Sequence, residues 1–218
     1  MSTTAQLSAR DRTNSLLDDK SFVEVGALVT RRSTDFNLQQ KEIPADGVIT
    51  GYGVIDGKLV YVYCQDKSAL NGTIGEMHAK KIAHIYDMAL KVGAPVIGII
   101  DCAGMRLQEA TDALNGFGEI YLKQTMASGV IPQITAVLGT CGGGSAVLTS
   151  LSDFSFMAKY GAKLFVNSPN TLKGNFTSKL DTSAAAFQAE SGNIDFVFED
   201  DASVLAGIRE LISILPSN

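Results

Sequence analysis

The chain has no basic excess, few cysteines and histidines, and no long apolar run, and each shortage removes a class of function. A formal net charge of −5 over 218 residues lacks the concentrated positive face of a phosphate-backbone binder, so nucleic acid is not an expected partner. No stretch of about 18 uninterrupted apolar residues is present. The N-terminus carries Arg10, Asp11 and Arg12 where a signal peptide would have its apolar core, and the expected location is cytoplasmic. The three cysteines, Cys64, Cys102 and Cys141, are odd in number, widely spaced and set in apolar or glycine-rich surroundings. They build neither a disulfide framework nor a four-ligand zinc site, and they read as buried, reduced thiols. His78 and His84 lie six apart on one expected helix, not at the i, i+4 spacing that lets two side chains share an ion, so no metal is expected.

Signature motifs are missing too. Neither GxGxxG nor GxxxxGK[ST] occurs, which argues against a nucleotide cradle. Ser145 sits in Gly144-Ser145-Ala146 without a full GxSxG elbow and with no histidine downstream, which excludes a serine hydrolase. No repeat, low-complexity tract or Pro/Ser-rich linker divides the chain, and one domain over residues 1–218 is expected.

Glycine, by contrast, is abundant, with 21 residues, and its placement follows a pattern of elements. Residues 5–17 suit a short amphipathic helix, Phe22 to Val25 a brief strand, and 27–44 an irregular polar segment. Residues 48–65 hold two β-rich runs about Asp56-Gly57, the pair suited to a tight hairpin. Ile82, Ile85, Ala89 and Val92 recur at helical spacing over 75–92, with Gly93 as the stop. Residues 95–101 form a continuous apolar run, as in a strand covered on both faces. The pattern then recurs: a helix over 117–128, a strand over 134–138, a small-residue helix from Gly142-Gly143-Gly144 to about Leu151, strands at 154–158 and 164–166, and a closing helix over 201–214. Strand, glycine turn and helix in alternation imply a layered α/β fold with a largely parallel sheet.

Two glycine sites follow the two most apolar strands: Asp101-Cys102-Ala103-Gly104-Met105-Arg106, and Gly139-Thr140-Cys141-Gly142-Gly143-Gly144-Ser145. Ligands of open α/β sheets sit beyond strand C-termini, where unpaired backbone N–H groups face an anion or an oxygen gaining charge. An acyl thioester whose α-carbon gains or loses a carboxylate passes through an enolate and needs such donors. Close helix–strand packing accounts for glycine-rich turns equally well, and spacing alone leaves both readings open. Arg106, Lys80, Lys81 and Lys159 are candidates for the phosphates of a CoA-like ligand, each weighed against a plain surface role.

The chain resembles the N-terminal domain of the carboxyltransferase subunits of biotin-dependent acyl-CoA carboxylases, propionyl-CoA carboxylase β chains and the related decarboxylases among them. The resemblance rests on Ala9-Arg10-Asp11-Arg12 with Leu16-Leu17-Asp18, Asp46-Gly47-Val48-Ile49-Thr50-Gly51-Tyr52-Gly53 and His78-Ala79-Lys80-Lys81-Ile82. It continues through Gly93-Ala94-Pro95-Val96-Ile97-Gly98, Arg106-Leu107-Gln108-Glu109, Ser128-Gly129-Val130-Ile131-Pro132-Gln133-Ile134 and Cys141-Gly142-Gly143-Gly144. It covers roughly residues 9–170 in the family's order.

That resemblance implies a crotonase-like spiral fold, with Gly143 and Gly144 as the oxyanion pair. It sets Gly104, Met105 and Arg106 of the first turn and Cys141 and Gly142 of the second around an acyl-CoA. It further implies biotin as cofactor, carboxylated on a carrier protein, with no metal. The implied partners are a second carboxyltransferase half with the biotin-binding domain, the biotin carboxyl carrier protein and, for a decarboxylase, a membrane pump subunit, all in an oligomer. Three departures stand out. The family's DSGGAR-like turn reads Asp101-Cys102-Ala103-Gly104-Met105-Arg106 here, which bears on the shape of the acyl pocket. The second crotonase-like domain is not in this sequence, and Gly174-Asn175-Phe176 through Phe198 replaces the family's usual acidic segment. The alternatives are a decarboxylase subunit, a stand-alone crotonase-like enzyme drawing an acid–base pair from Glu109, Glu119 and His78, and a non-catalytic CoA-binding subunit.

Overall fold

A computed structural model of the chain describes residues 6–32, 44–168 and 180–216. Most of the expected irregular segment and the Gly174-Asn175-Phe176 stretch lie outside the described residues.

Helix α1 (Ala9–Leu16) begins where the Ser8 side chain accepts the Asp11 N–H at 3.1 Å, which satisfies one of the orphan amides of a helix start. Strand β1 (Val23–Glu24) edges a hairpin of β2 (Val48–Ile55) and β3 (Lys58–Gln65). The hairpin closes at Asp56 and Gly57, with φ of 49° and 78°, the doubly positive turn whose twist matches that of the flanking strands. Helix α2 (Glu76–Val92) buries Ala79, Ile82, Ile85, Tyr86 and Ala89 and stops at Gly93, which is left-handed.

Then follow β4 (Val96–Cys102), α3 (Ala110–Ala127), β5 (Gln133–Gly142), α4 (Ser145–Ser150), β6 (Phe154–Ala158), β7 (Lys163–Phe165), α5 (Ala185–Glu190), β8 (Phe196–Phe198) and α6 (Asp201–Ile214). Helix α3 starts well before the expected residue 117. Its first turns bury only Ala113 and Gly116, so their apolar period is faint. Strand β8 lies outside the elements expected from the sequence. Its pairing with β6, Phe156 opposite Phe196, and the stacking of those rings at 4.8 Å hold it in place.

The eight strands form one sheet in the order β1-β2-β3-β4-β5-β6-β8, with β7 paired to the end of β5. The first three strands are antiparallel, and every pairing from β3 onward is parallel. Every residue of β4 is buried, and so is all of β5 except Thr140, as expected where helices cover both faces. Helices α2 and α3 pack on each other, as do α1 and α6. Among the described residues no helix is long and apolar enough to cross a membrane.

Candidate active site

The parallel ladder between β4 and β5 runs in step to Ile100↔Val137, then shifts so that Cys102 faces Cys141. The Asp101 carboxylate lies at the shift. It accepts the Thr140 N–H at 3.0 Å and pairs with Arg12 at 3.1 Å. Arg12, 2% exposed, also holds Asp201 at 2.9 Å and the Leu138 carbonyl at 2.8 Å. Burial by itself lowers the Arg12 pKa, but the carboxylates of Asp201 and Asp101 reverse the effect and raise it, so the guanidinium stays charged. This strut ties α1, β4, β5 and α6 together beneath the point where both strands end.

The first turn leaves β4 at Cys102. Its amides are nearly all committed: Ala103 N–H to the Asn71 carbonyl at 3.1 Å, Gly104 N–H to Cys102 Sγ at 3.3 Å, and Arg106 N–H to the Ile74 carbonyl at 2.9 Å. The Met105 amide has no acceptor among the described residues.

Arg106 anchors that turn from below. Its side chain is 1% exposed and its guanidinium reaches Asp46 at 2.6 Å, Glu109 at 2.9 Å and the Thr73 carbonyl at 2.8 Å. The expectation that Arg106 meets a ligand phosphate is therefore corrected: its charge is spent on two buried carboxylates. Glu109 also accepts the Glu76 N–H at 2.6 Å, which caps the start of α2. Burial raises the Asp46 pKa, and the Arg106 charge only partly offsets this.

His78 continues the network. Its Nδ1 lies 2.9 Å from the Asp46 carbonyl and its Nε2 3.2 Å from Gln65 Nε2. A carbonyl only accepts, so Nδ1 carries the proton and Nε2 accepts from the Gln65 amide. Burial, aided by the Arg106 charge, lowers the His78 pKa to about 3. Gln65 Oε1 accepts the Asp101 N–H at 3.3 Å, so the network runs from Glu109 to the end of β4. His78 and Glu109 are thus held as structural members, and neither is placed as a solvent-facing acid or base.

The second turn leaves β5 at Gly142, which pairs with Phe165 of β7. Gly143, with φ of 60°, donates its N–H to the Phe165 carbonyl at 3.0 Å. That bond revises the expected Gly143–Gly144 donor pair, because one of its two amides is already taken. The Gly144 amide has no acceptor among the described residues. The two turns touch through backbone: a Cβ on Gly104 would lie 3.3 Å from the Gly142 oxygen, and one on Gly142 would lie 3.2 Å from the Ala103 oxygen.

The remaining candidates fall elsewhere. Cys141 is buried, with its thiol 3.7 Å from Thr149 Oγ1, and burial pushes its pKa up to about 12. Only its backbone shapes the turn. Lys80 pairs with Glu76 at 2.7 Å, and Lys159 with Glu199 at 2.8 Å. Lys81 is buried and donates to the Ala45 carbonyl at 2.8 Å and to the Val48 carbonyl.

A cleft of about 670 Å³ opens beside the first turn, lined among others by Arg10, Gln65, Lys67, Ser68, Asn71 and Asp101. Asn71 is the residue whose carbonyl holds Ala103. Lys67 brings positive charge to this cleft, Arg10 is paired with Glu24 at 2.7 Å, and Asp66 lines the cleft beside them. A second cleft of about 440 Å³, by Gly57 and Pro95, lies at the opposite end of the parallel strands.

The sheet, and two touching turns at the ends of neighbouring parallel strands, form the frame of the site, and comparison with solved structures assigns it to the crotonase-like carboxyltransferases. The structure matches transcarboxylase 12S, solved with methylmalonyl-coenzyme A and methylmalonic acid bound, with a TM-score of 0.91 and 36% identity over 98% of this chain and 42% of that one. A family model described as the carboxyl transferase domain matches residues 3–218, and the chain belongs to that family. It is 42% identical to methylmalonyl-CoA decarboxylase subunit alpha of Propionigenium modestum, over 98% of this chain and 42% of that protein. It is 43% identical to the propionyl-CoA carboxylase beta chain of Roseobacter denitrificans, again over 98% of this chain and 42% of the other. The chain thus spans less than half the length of these relatives.

Proposed function

We propose that this chain is the acyl-CoA-binding half of a biotin-dependent carboxyltransferase, and that the thioester oxygen is received by the Met105 and Gly144 amides. The observation that carries this reading is the pair of unclaimed N–H groups, one on each of two touching turns at the C-terminal ends of β4 and β5. Donors fixed before reaction stabilise an enolate oxygen at no reorganisation cost, and loss of one such donor lowers a rate by about 10²- to 10³-fold. The cleft beside the first turn, where Lys67 stands with Ser68 and Asn71, suits a phosphate of CoA, one of the places for which the sequence reading had weighed Arg106.

Biotin on a carrier protein would exchange the carboxyl group with the acyl-CoA, carboxybiotin giving it up in carboxylation and free biotin accepting it in decarboxylation. With Met105 and Gly144 committed to the thioester, groups that hold the biotin ring fall to a second carboxyltransferase half, and we assign no residue of this chain to it. Burying a shared face against that half also excludes water from the enolate. The partners in this reading are that half and the biotin carboxyl carrier protein within an oligomer, joined by a membrane pump subunit if the flux is decarboxylation. The two directions are supported alike, because a decarboxylase subunit and a carboxylase chain stand at nearly equal identity. A self-contained hydratase is disfavoured by the engagement of His78 and Glu109 in the buried network.

Calorimetry of acetyl-, propionyl-, malonyl- and methylmalonyl-CoA against the full chain tests the reading, with free CoA as reference. Acyl-dependent binding is expected, and Gly144→Ala is expected to weaken it, since the new Cβ would lie 2.9 Å from both Phe117 Cε1 and Tyr121 Oη and must displace them. Equal affinity for free CoA and every acyl-CoA would sink the assignment.

A further inference from the structure

The direction of the Met105 amide, one of the two proposed donors, is set by what holds the rest of its own peptide. The Gly104 carbonyl and the Met105 N–H belong to one planar trans unit and point in opposite directions, so a bond that fixes the carbonyl aims the amide. That carbonyl accepts the Ile74 N–H at 3.0 Å, and the Cys102 thiol, a weak donor, lies 3.4 Å from it. The Ile74 N–H in turn shares a plane with the Thr73 carbonyl, which accepts Arg106 Nη2 at 2.8 Å. A guanidinium and two peptide groups therefore stand in series, each donating to the next, and the Met105 N–H is the free end.

The segment at the middle of this series needs outside support. Leu70 and Asn71, just before it, hold φ of 49° and 55°, conformations that persist only where surrounding contacts impose them. The backbone bonds from Ile74 to Gly104 and from the Arg106 N–H to the Ile74 carbonyl make the bridge between Ile74 and Met105. Among the described residues no donor but Arg106 reaches the Thr73 carbonyl. The guanidinium cannot swing away, because its Nη1 is tied to Asp46 at 2.6 Å and to Glu109 at 2.9 Å. The two carboxylates thus fix the plane from which Nη2 reaches Thr73.

We infer that Arg106 is a positioning residue for the proposed reaction, its guanidinium holding the Thr73–Ile74 peptide so that the Met105 N–H is aimed at the thioester oxygen. The inference rests on the proposed function and names a residue that acts on that same site through two peptide groups. A hydrogen bond from a charged donor is roughly twice as strong as a neutral one, and bonds in a chain polarise one another in the same sense. The far donor is therefore strengthened as well as aimed. A misplacement of about 1 Å at a reacting centre costs up to 10²-fold in rate. Loss of the hold is expected to lower kcat by about 10- to 100-fold while leaving KM for the acyl-CoA near its original value.

The test has one reading without ligand and one with it. Gly104-Met105 is the only Gly–Met pair in the sequence, so carbon-13 carbonyl glycine with nitrogen-15 methionine singles out the Met105 amide by NMR, and its nitrogen shift follows the hydrogen bond on the Gly104 carbonyl. Propionyl-CoA labelled with carbon-13 at the thioester carbonyl is then bound to the full chain, and its stretching band is followed by infrared difference spectroscopy. The wild-type chain is expected to move the band to lower wavenumber. Two variants break the series. Arg106→Met with Glu109→Gln removes the guanidinium together with one of its carboxylates. Replacement of Ile74 by its α-hydroxy acid keeps every side chain, deletes the N–H on Gly104 and makes the Thr73 carbonyl a poorer acceptor.

Both are expected to move the Met105 nitrogen upfield, to bind propionyl-CoA with unchanged affinity and to lose the band displacement. Arg209→Met, which takes an arginine from Asp18 and Asp56 away from the site, is expected to keep both readings. An unmoved Met105 resonance in the Ile74 ester chain or in the folded double variant overturns the hold, and so do changes of equal size in Arg209→Met. A moved resonance with the band still fully displaced overturns the role in the reaction and leaves the proposed function standing. A wild-type chain that fails to bind propionyl-CoA, or binds it with an undisplaced band, overturns the proposed function and this inference with it.

Discussion

The carboxylate of Asp101 fills the place that a side chain at residue 139 would need: a Cβ on Gly139 would lie 2.0 Å from Asp101 Oδ1. The same carboxylate holds Arg12 and the Thr140 N–H. One contact thus links a glycine in mid-strand to the bulge that aims both turns.

Gly139→Ala is expected to cost about 3 kcal/mol or more, since the methyl group drives a buried carboxylate from its guanidinium and its amide. Urea denaturation measures it. A midpoint within error of the wild-type value would show that the strand end adapts.

Arg106→Met leaves Asp46 and Glu109 buried without their cation, and the expected loss is about 3–5 kcal/mol. Adding Glu109→Gln is expected to recover part of it, because the two changes act on one pair. The salt dependence of acyl-CoA binding is expected to stay as in the wild type for any Arg106 variant that folds. A shallower salt slope would return Arg106 to the ligand.

His78 makes stability depend on pH with a definite sign. Its folded pKa, about 3, lies below the unfolded value of about 6.5, so the unfolded chain binds the extra proton between the two. Its contribution is complete above the unfolded value and declines as pH falls towards the folded one. Between pH 7.5 and pH 5 the expected loss is about 2 kcal/mol. His78→Gln, whatever its own cost, is expected to flatten that part of the pH profile. An identical profile in the variant would place the titration elsewhere.

Much of this architecture is legible without coordinates, because its signals are local. Asp56-Gly57 closes a hairpin since both residues adopt positive φ, and the run from Val96 to Cys102 reads as a covered strand and is buried throughout. Helix α2 ends at Gly93 because a left-handed residue ends it. The two glycine turns were likewise visible from their place after apolar strands, and Met105 and Gly144 were both among the candidates. Position was legible at those two residues, while occupancy was not.

Which amide is free depends on where other strands come to lie. Gly143 is claimed by Phe165 because β7 pairs with the end of β5, a contact between residues 22 positions apart that no spacing rule announces. Arg106 reads as a basic residue in a loop until the fold brings Asp46 to it from 60 positions away. Tyr121 reads as one more apolar position of α3 until its hydroxyl meets Gly144. Sequence alone determined most of the elements, their alternation and the family, since these follow from short-range periodicity, turn chemistry and residue order, while α5, β8 and the start of α3 did not show in it. Tertiary structure alone decided which donors remain unpaired, which charges are buried and which side chain steadies the turn, because each is a question of what lies within about 3 Å in space.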